Sequence, residues 1–255
     1  MHHPSAAPPA TTVPQAVWQL AAEDLRALAW LHAQERDPQV LQALHASGFP
    51  QSLSLLADGH PAKTAMAAAL QAIAGQIEGL LPVTADDLAA DYAAIYLNHT
   101  LRASPYESVW LDEDHLMLQA PTFAVRAFYR KHGVHIANWR QMPEDHIAHE
   151  LSFVALLLES GQEKEAARFL KTHLLAWLPD FAARVVQRAD TPFYAALAAL
   201  TQACVDACAA RLPRVAVIAQ PVVVAAAAPP NPEYGCTQSD PCPSDERAQT
   251  PPRSA

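Results

Sequence analysis

The sequence predicts an all-α protein, a helical bundle of two subdomains joined by a linker. Three observations carry this. Hydrophobic residues make up 51% of the chain, enough for a substantial core, and glycine is scarce at 7 residues while alanine is abundant. Clusters of Val, Ile and Thr are few outside the C-terminal stretch, so strand signals are weak. Apolar residues recur at helical spacing in one segment after another, and prolines and glycines separate those segments.

Residues 1–14 are rich in Pro, Ala and Thr and read as a disordered arm. An N-terminal helical subdomain is expected over 15–97. Its first helix runs from Pro14 to Gln34, with Val17, Leu20, Ala21, Leu25, Leu28 and Leu31 as the buried stripe. Pro38 to Ser47 is a second, stopped by Gly48; Pro50 to Ala57 is a third; Lys63 to Leu80 is a fourth, ended by Pro82. Thr84 caps a fifth, with Asp86 and Asp87 in its first turn. That helix carries Leu88, Tyr92, Ile95 and Tyr96 inward. Residues 98–142 are a linker and binding loop holding one helix, Pro121 to His132. Within it Tyr106, Ser108 and Trp110 alternate with Glu107, Val109 and Leu111, which predicts an extended segment. The C-terminal subdomain, 143–212, opens at Pro143 with a helix to Ser160, followed by Glu163 to Trp177, Pro179 to Arg188 and Pro192 to Arg211. Residues 213–255 hold many prolines and read as a disordered tail. No repeat of fixed period runs through the chain.

The net charge of −9 argues against nucleic acid as a partner, because phosphate binding needs a basic footprint. Residues 84–150 hold ten acids against five Lys and Arg, so the excess is concentrated there and would attract a basic peptide. The first residues lack the apolar stretch of a secretory signal, and no run reaches the roughly 18 apolar residues of a membrane span. Stable membrane insertion is therefore not expected. Cys204 and Cys208 lie four apart on the last helix, and Cys236 and Cys242 lie in the tail. Without C-x-x-C pairs they read as buried and free thiols in a reducing cytosol. Nucleotide-binding glycine loops and nucleophile elbows are absent from the sequence.

Two segments stand out. In Pro143-Glu144-Asp145-His146-Ile147-Ala148-His149-Glu150-Leu151, Ile147, Leu151, Val154 and Leu158 centre the apolar stripe. His146 and Glu150 are four apart and can meet. The acids complement the helix dipole; the histidine suits that position only while neutral. Carboxylates at Asp145 and Glu150 can accept a bidentate arginine. The alternative is a small metal-dependent hydrolase using His146, His149 and Glu150, although the order H-x-x-H-E matches neither zinc-protease helix. A helical scaffolding protein is a third reading. In Ser104 to Asp112, Tyr106 and Trp110 bring aromatic area to a polar loop backed by Asp112, Glu113 and Asp114, which suits either a loop pinned to the core or a binding lip.

Asp91 to Leu97, Ser104 to Asp112 and Pro143 to Leu151 together resemble the aromatic helix end, the Pro-x-x-Ser-Val-aromatic-Leu-Asp loop and the Pro-x-Asp-His hinge of the TorD-like redox-enzyme maturation chaperones. The resemblance implies an all-α fold with a hinge at Pro143. It implies a cytoplasmic, non-enzymatic protein that binds the twin-arginine leader of an apo molybdoenzyme of the dimethyl sulfoxide or trimethylamine N-oxide reductase type. Its leader-binding residues would be Asp145, His146, Tyr106 and Trp110, joined by Glu107, Ser108, Glu150, Tyr92 and Tyr96. No cofactor is implied by the residues themselves; guanine nucleotide follows from the resemblance alone, as does a domain-swapped dimer beside the monomer. Met142 stands where the family often has an acid, and Tyr106 where one branch has tryptophan, so the client is left open.

Overall fold

Most helices begin at a proline or at a side chain that accepts one of the first N–H groups. The computed structural model describes residues 13–215 apart from 78, 80 and 99. The expected arm, most of the tail, and Cys236 and Cys242 lie outside the described residues. The elements are α1 (Gln15–Ala33), α2 (Pro38–Ala46), α3 (Pro61–Ile73), α4 (Ala85–Tyr92), a π-helical turn (Ala93–Leu97), α5 (Glu107–Leu111), α6 (Ala120–Lys131), α7 (Ile147–Glu159), α8 (Glu163–Thr172), α9 (Leu174–Arg188) and α10 (Pro192–Arg211). Among the described residues there is no strand, and the all-α expectation holds.

The core follows from the apolar stripes. α1 lies along α7, α10 lies against α9 and α3, and α2 covers α3. Trp18, Leu25, Leu28, Leu151, Val154, Trp177, Phe181 and Leu200 are fully buried in one continuous cluster. Burying a side chain of that size is worth about 1.5–3 kcal/mol, so the α1–α7 seam is a major source of stability. Ile147, Leu151, Val154 and Leu158 are all buried, as the stripe predicts. α10 is long and apolar enough to cross a membrane, yet half of it is buried against α9 and α3.

Several boundaries differ from expectation, the largest difference arising where a distant group takes the backbone. Residues 50–57 form turns instead of a helix. The buried Asp24 carboxylate accepts Ser54 N–H at 2.7 Å, Leu55 N–H at 2.7 Å and Ser54 Oγ at 2.9 Å, and those donors are lost to a helix. In α1 the stripe turns on Trp18, which is fully buried, while Leu20 is 50% exposed. α3 ends at Ile73, just before Gly75 in the left-handed conformation, rather than at Leu80. The break in the C-terminal half falls at His173 (φ −113°, ψ −90°), and Pro179 sits inside α9. Thr84 caps α4 as expected: its hydroxyl accepts Asp87 N–H at 3.1 Å while the Asp87 carboxylate accepts Thr84 N–H at 2.9 Å.

Candidate functional site

The two singled-out segments meet. Tyr106 and His146 pair as an isolated antiparallel bridge. Glu107 N–H donates to Asp145 C=O at 3.0 Å, and Ile147 N–H donates to Pro105 C=O at 2.8 Å. This pairing holds His146 extended (φ −74°, ψ 137°), so α7 starts at Ile147 and not at Pro143. His146 becomes the N-cap of α7, its Nδ1 accepting Ala148 N–H at 3.2 Å. An accepting Nδ1 carries no proton, so the ring sits at the positive helix end as the sequence argument requires.

The loop itself is not extended throughout. Glu107–Leu111 closes as the short helix α5, because the Asp145 carboxylate accepts Ser108 N–H at 2.9 Å and caps it. Asp145 is thus a helix cap delivered from 37 residues away. Ser108 is fully buried beneath it.

Glu107 and Glu150 form the acidic centre of this junction. His173 Nδ1 donates to both Glu107 carboxylate oxygens, at 3.1 and 3.2 Å. Trp177 Nε1 donates to Glu150 at 3.2 Å. Burial raises the pKa of both carboxyls, and their mutual proximity raises Glu150 further while His173 pulls Glu107 down. In this apolar surround the neutral form of Glu150 is favoured, first by burial and then by the Glu107 charge.

The aromatics line up beside the bridge. Tyr106 packs edge-on against His146 at 5.0 Å between centroids, and burial pushes its phenol up to about 12. Tyr96 lies 6.2 Å from His146 and stacks on Tyr92 at 4.8 Å. Its hydroxyl shares a 2.5 Å hydrogen bond with His32 Nδ1, and burial holds His32 neutral with a pKa of about 3. Trp110 is half-buried, donates from Nε1 to Ser104 C=O at 2.8 Å, and has the Arg184 guanidinium 5.7 Å from its ring.

All nine expected site residues therefore gather around one bridge, but Asp145, Glu107, Ser108, Glu150, His146, Tyr106 and Tyr96 are buried; Tyr92 and Trp110 are half-buried. Sequence reasoning missed His173, Trp177 and Tyr129, whose hydroxyl donates to Glu144 C=O at 3.1 Å. It also missed the bidentate Arg126–Glu144 pair at 2.5 and 2.9 Å. Only the acids of 143–151 hinted at such partners; nothing local marked the others. The three residues of the hydrolase reading do not converge: His146 caps its own helix, Glu150 is held by Trp177, burial lowers the pKa of His149, and among the described residues no group of three or more His, Cys, Asp or Glu could hold a metal ion.

Among known proteins, the TorD chaperone of Shewanella loihica is 32% identical over 190 residues, 72% of this chain and 89% of that protein. This chain belongs to the TorD family. The resemblance drawn from the three motifs is thereby borne out. The Tat proofreading chaperone DmsD of Salmonella typhi is 34% identical over 104 residues, 41% of this chain. The match spans about half, 51%, of that relative's length. Residues 60–183 match the nitrate reductase delta subunit family, a stretch containing both halves of the bridge. A solved structure from Archaeoglobus fulgidus, described as a candidate redox enzyme maturation protein, aligns at 18% identity and a TM-score of 0.45, covering 77% of this chain and 97% of its own. In this TorD-family chain the Pro-x-Asp-His motif and the Ser104–Asp112 loop motif are thus joined to each other by backbone hydrogen bonds and a shared carboxylate.

Proposed function

We propose that this chain is a cytoplasmic chaperone that binds the twin-arginine leader of an apo molybdoenzyme and holds the enzyme back from export until its cofactor is inserted. Family membership supports the chaperone role, and the relatives' printed names speak of chaperoning and Tat proofreading. The observation that carries the reading is the Tyr106–His146 bridge. It fixes an aromatic loop to the start of α7, beside an acidic stretch that favours a cationic peptide. In this reading Asp145, Glu107, Ser108 and Glu150 shape the loop, while Trp110 and Tyr92 are half-exposed and touch the leader. Tyr106, Tyr96 and His146 form the aromatic wall behind them. A monomer or a domain-swapped dimer could both carry this wall. Ordering a disordered leader consumes part of the interaction energy, so binding is of moderate strength and reversible, as release of a client requires.

Calorimetry with synthetic leader peptides tests this. Peptides with paired arginines and a following apolar run should bind saturably, and glutamine in place of both arginines should weaken them. Equal heats from intact and arginine-free peptides would remove the reading.

A further inference from the structure

The acids first expected to receive the leader's arginines are inside the protein. Asp145 and Glu150 are 0% exposed and Glu107 is 2% exposed. A guanidinium could reach them only by opening the packing that buries them, where Ser108 N–H, His173 and Trp177 already bond these carboxylates. Trp110 is also partly taken, with Arg184 over its ring.

An open surface lies one step further along the chain. Leu111, Leu116, Leu118 and Phe123 are 42%, 53%, 38% and 51% exposed. They are four of the ten exposed large hydrophobics among the described residues: Leu111 ends α5, Leu116 and Leu118 lie in the connection, and Phe123 is in the first turn of α6. Singly scattered apolar side chains need no explanation, but a run of them does. The connection is also held in shape. His115 Nδ1 donates to Val109 C=O at 2.9 Å, and the Asp112 carboxylate accepts Asp114 N–H at 3.2 Å. His115 and Leu118 have φ of 55° and 61°, a left-handed conformation that such side chains keep only when their surroundings hold them. Between Arg102 and Arg126 there is no Lys or Arg. Glu113 and Asp114 are exposed there and enter none of the ion pairs among the described residues.

We infer that the α5–α6 connection, Leu111 to Phe123, is the docking surface for the apolar run of the leader, with Glu113 and Asp114 facing its arginines. The occupant follows from charge complementarity: Leu111, Leu116 and Leu118, interspersed with the acids Asp112, Glu113 and Asp114, suit a peptide that is both apolar and cationic, whereas Phe123 at the far end is shared with the Arg126 guanidinium 5.2 Å from its ring. This inference rests on the leader-binding reading and names its contact face.

The test uses the full chain and a synthetic peptide with paired arginines followed by an apolar run. The double variants Leu116→Ser/Leu118→Ser and Glu113→Lys/Asp114→Lys should each bind about tenfold more weakly. The loss in the charge variant should shrink as salt is added. If the parent itself binds no leader, the leader-binding reading fails. If the parent binds and both variants match it, only this docking face is overturned. The same holds if sedimentation shows the serine variant altering self-association alone, since the strip then meets a second copy. Should the serine variant unfold, a photo-crosslinker in the peptide's apolar run decides with the unaltered chain. Adducts on Leu111 to Phe123 support the inference, and adducts confined elsewhere overturn it.

Discussion

Asp91 and Asp145 perform one task in two surroundings. Each is a buried carboxylate that caps a helix from a distant part of the chain. Asp91, on α4, accepts Thr191 N–H at 2.7 Å and Thr191 Oγ1 at 2.6 Å on one oxygen, and Asp190 N–H at 3.1 Å on the other. Both oxygens are used. Asp145 accepts Ser108 N–H on Oδ2, while Oδ1 has no hydrogen-bond partner among the described residues. Its charge also raises the pKa of Glu107, Glu150 and Tyr106. The saturated cap belongs to the scaffold. The unsaturated one lies at the junction of the family motifs, where polar demand is left partly unmet, as functional sites often leave it.

The largest expected effect separates the two directly. Asp91→Ala removes three hydrogen bonds from the start of α10 and leaves the buried Thr191 N–H and hydroxyl unpaired, at a cost of about 3–5 kcal/mol. Asp145→Ala removes one cap bond and relieves repulsion with two carboxyls, so it costs about 1 kcal/mol. Urea unfolding of the two variants measures both. Equal losses would break the comparison.

The acidic pair sharpens it through pH. Glu107 and Glu150 both have raised folded-state pKa values, chiefly from burial. A raised carboxyl adds stability that is fully present below its unfolded value of about 4.5 and is lost as pH rises toward the folded value. Glu150 is faced by Glu107 from α5, by Asp145 from the segment before α7, by Trp177 from α9, and by Tyr129 from α6. Glu107 in turn faces His173. Glu150→Gln keeps the shape of the protonated form and cannot ionise. Its stability should equal that of the parent near pH 4 and exceed it by about 1–2 kcal/mol at pH 8. A constant offset across that range would show that Glu150 does not have the raised folded-state pKa on which the prediction rests.

What the sequence could and could not disclose follows from distance along the chain. Stripes such as Ile147, Leu151, Val154 and Leu158 are legible because helical periodicity is local, and all four are buried. The Thr84 cap is legible because its partner is three residues away. Errors fall where a backbone donor is taken from afar: Ser54 and Leu55 by Asp24, Ser108 by Asp145. The candidate site was legible as a set of neighbouring residues, since the motifs named the two sides of the bridge. Its inward orientation was not, because no local pattern announces that Glu107 will find His173, 66 residues on.

The smallest expected effect comes from the exposed counterpart of these caps. Thr84 and Asp87 bond reciprocally at the start of α4, and both are exposed. Hydrogen bonds from Thr84 lower the Asp87 pKa. The sign is then opposite to that of Glu150: stability from Asp87 is present above the ordinary carboxylate range and is lost as pH falls through its lowered folded value. Thr84→Ala should lower the unfolding midpoint by about 2 °C at pH 7, with the shortfall shrinking as the pH drops below 4. Water can replace the lost bonds at an exposed helix end, whereas no such replacement reaches Asp91. A thermal shift as large as that of Asp91→Ala would mean that saturation, rather than burial, governs what a cap contributes in this protein.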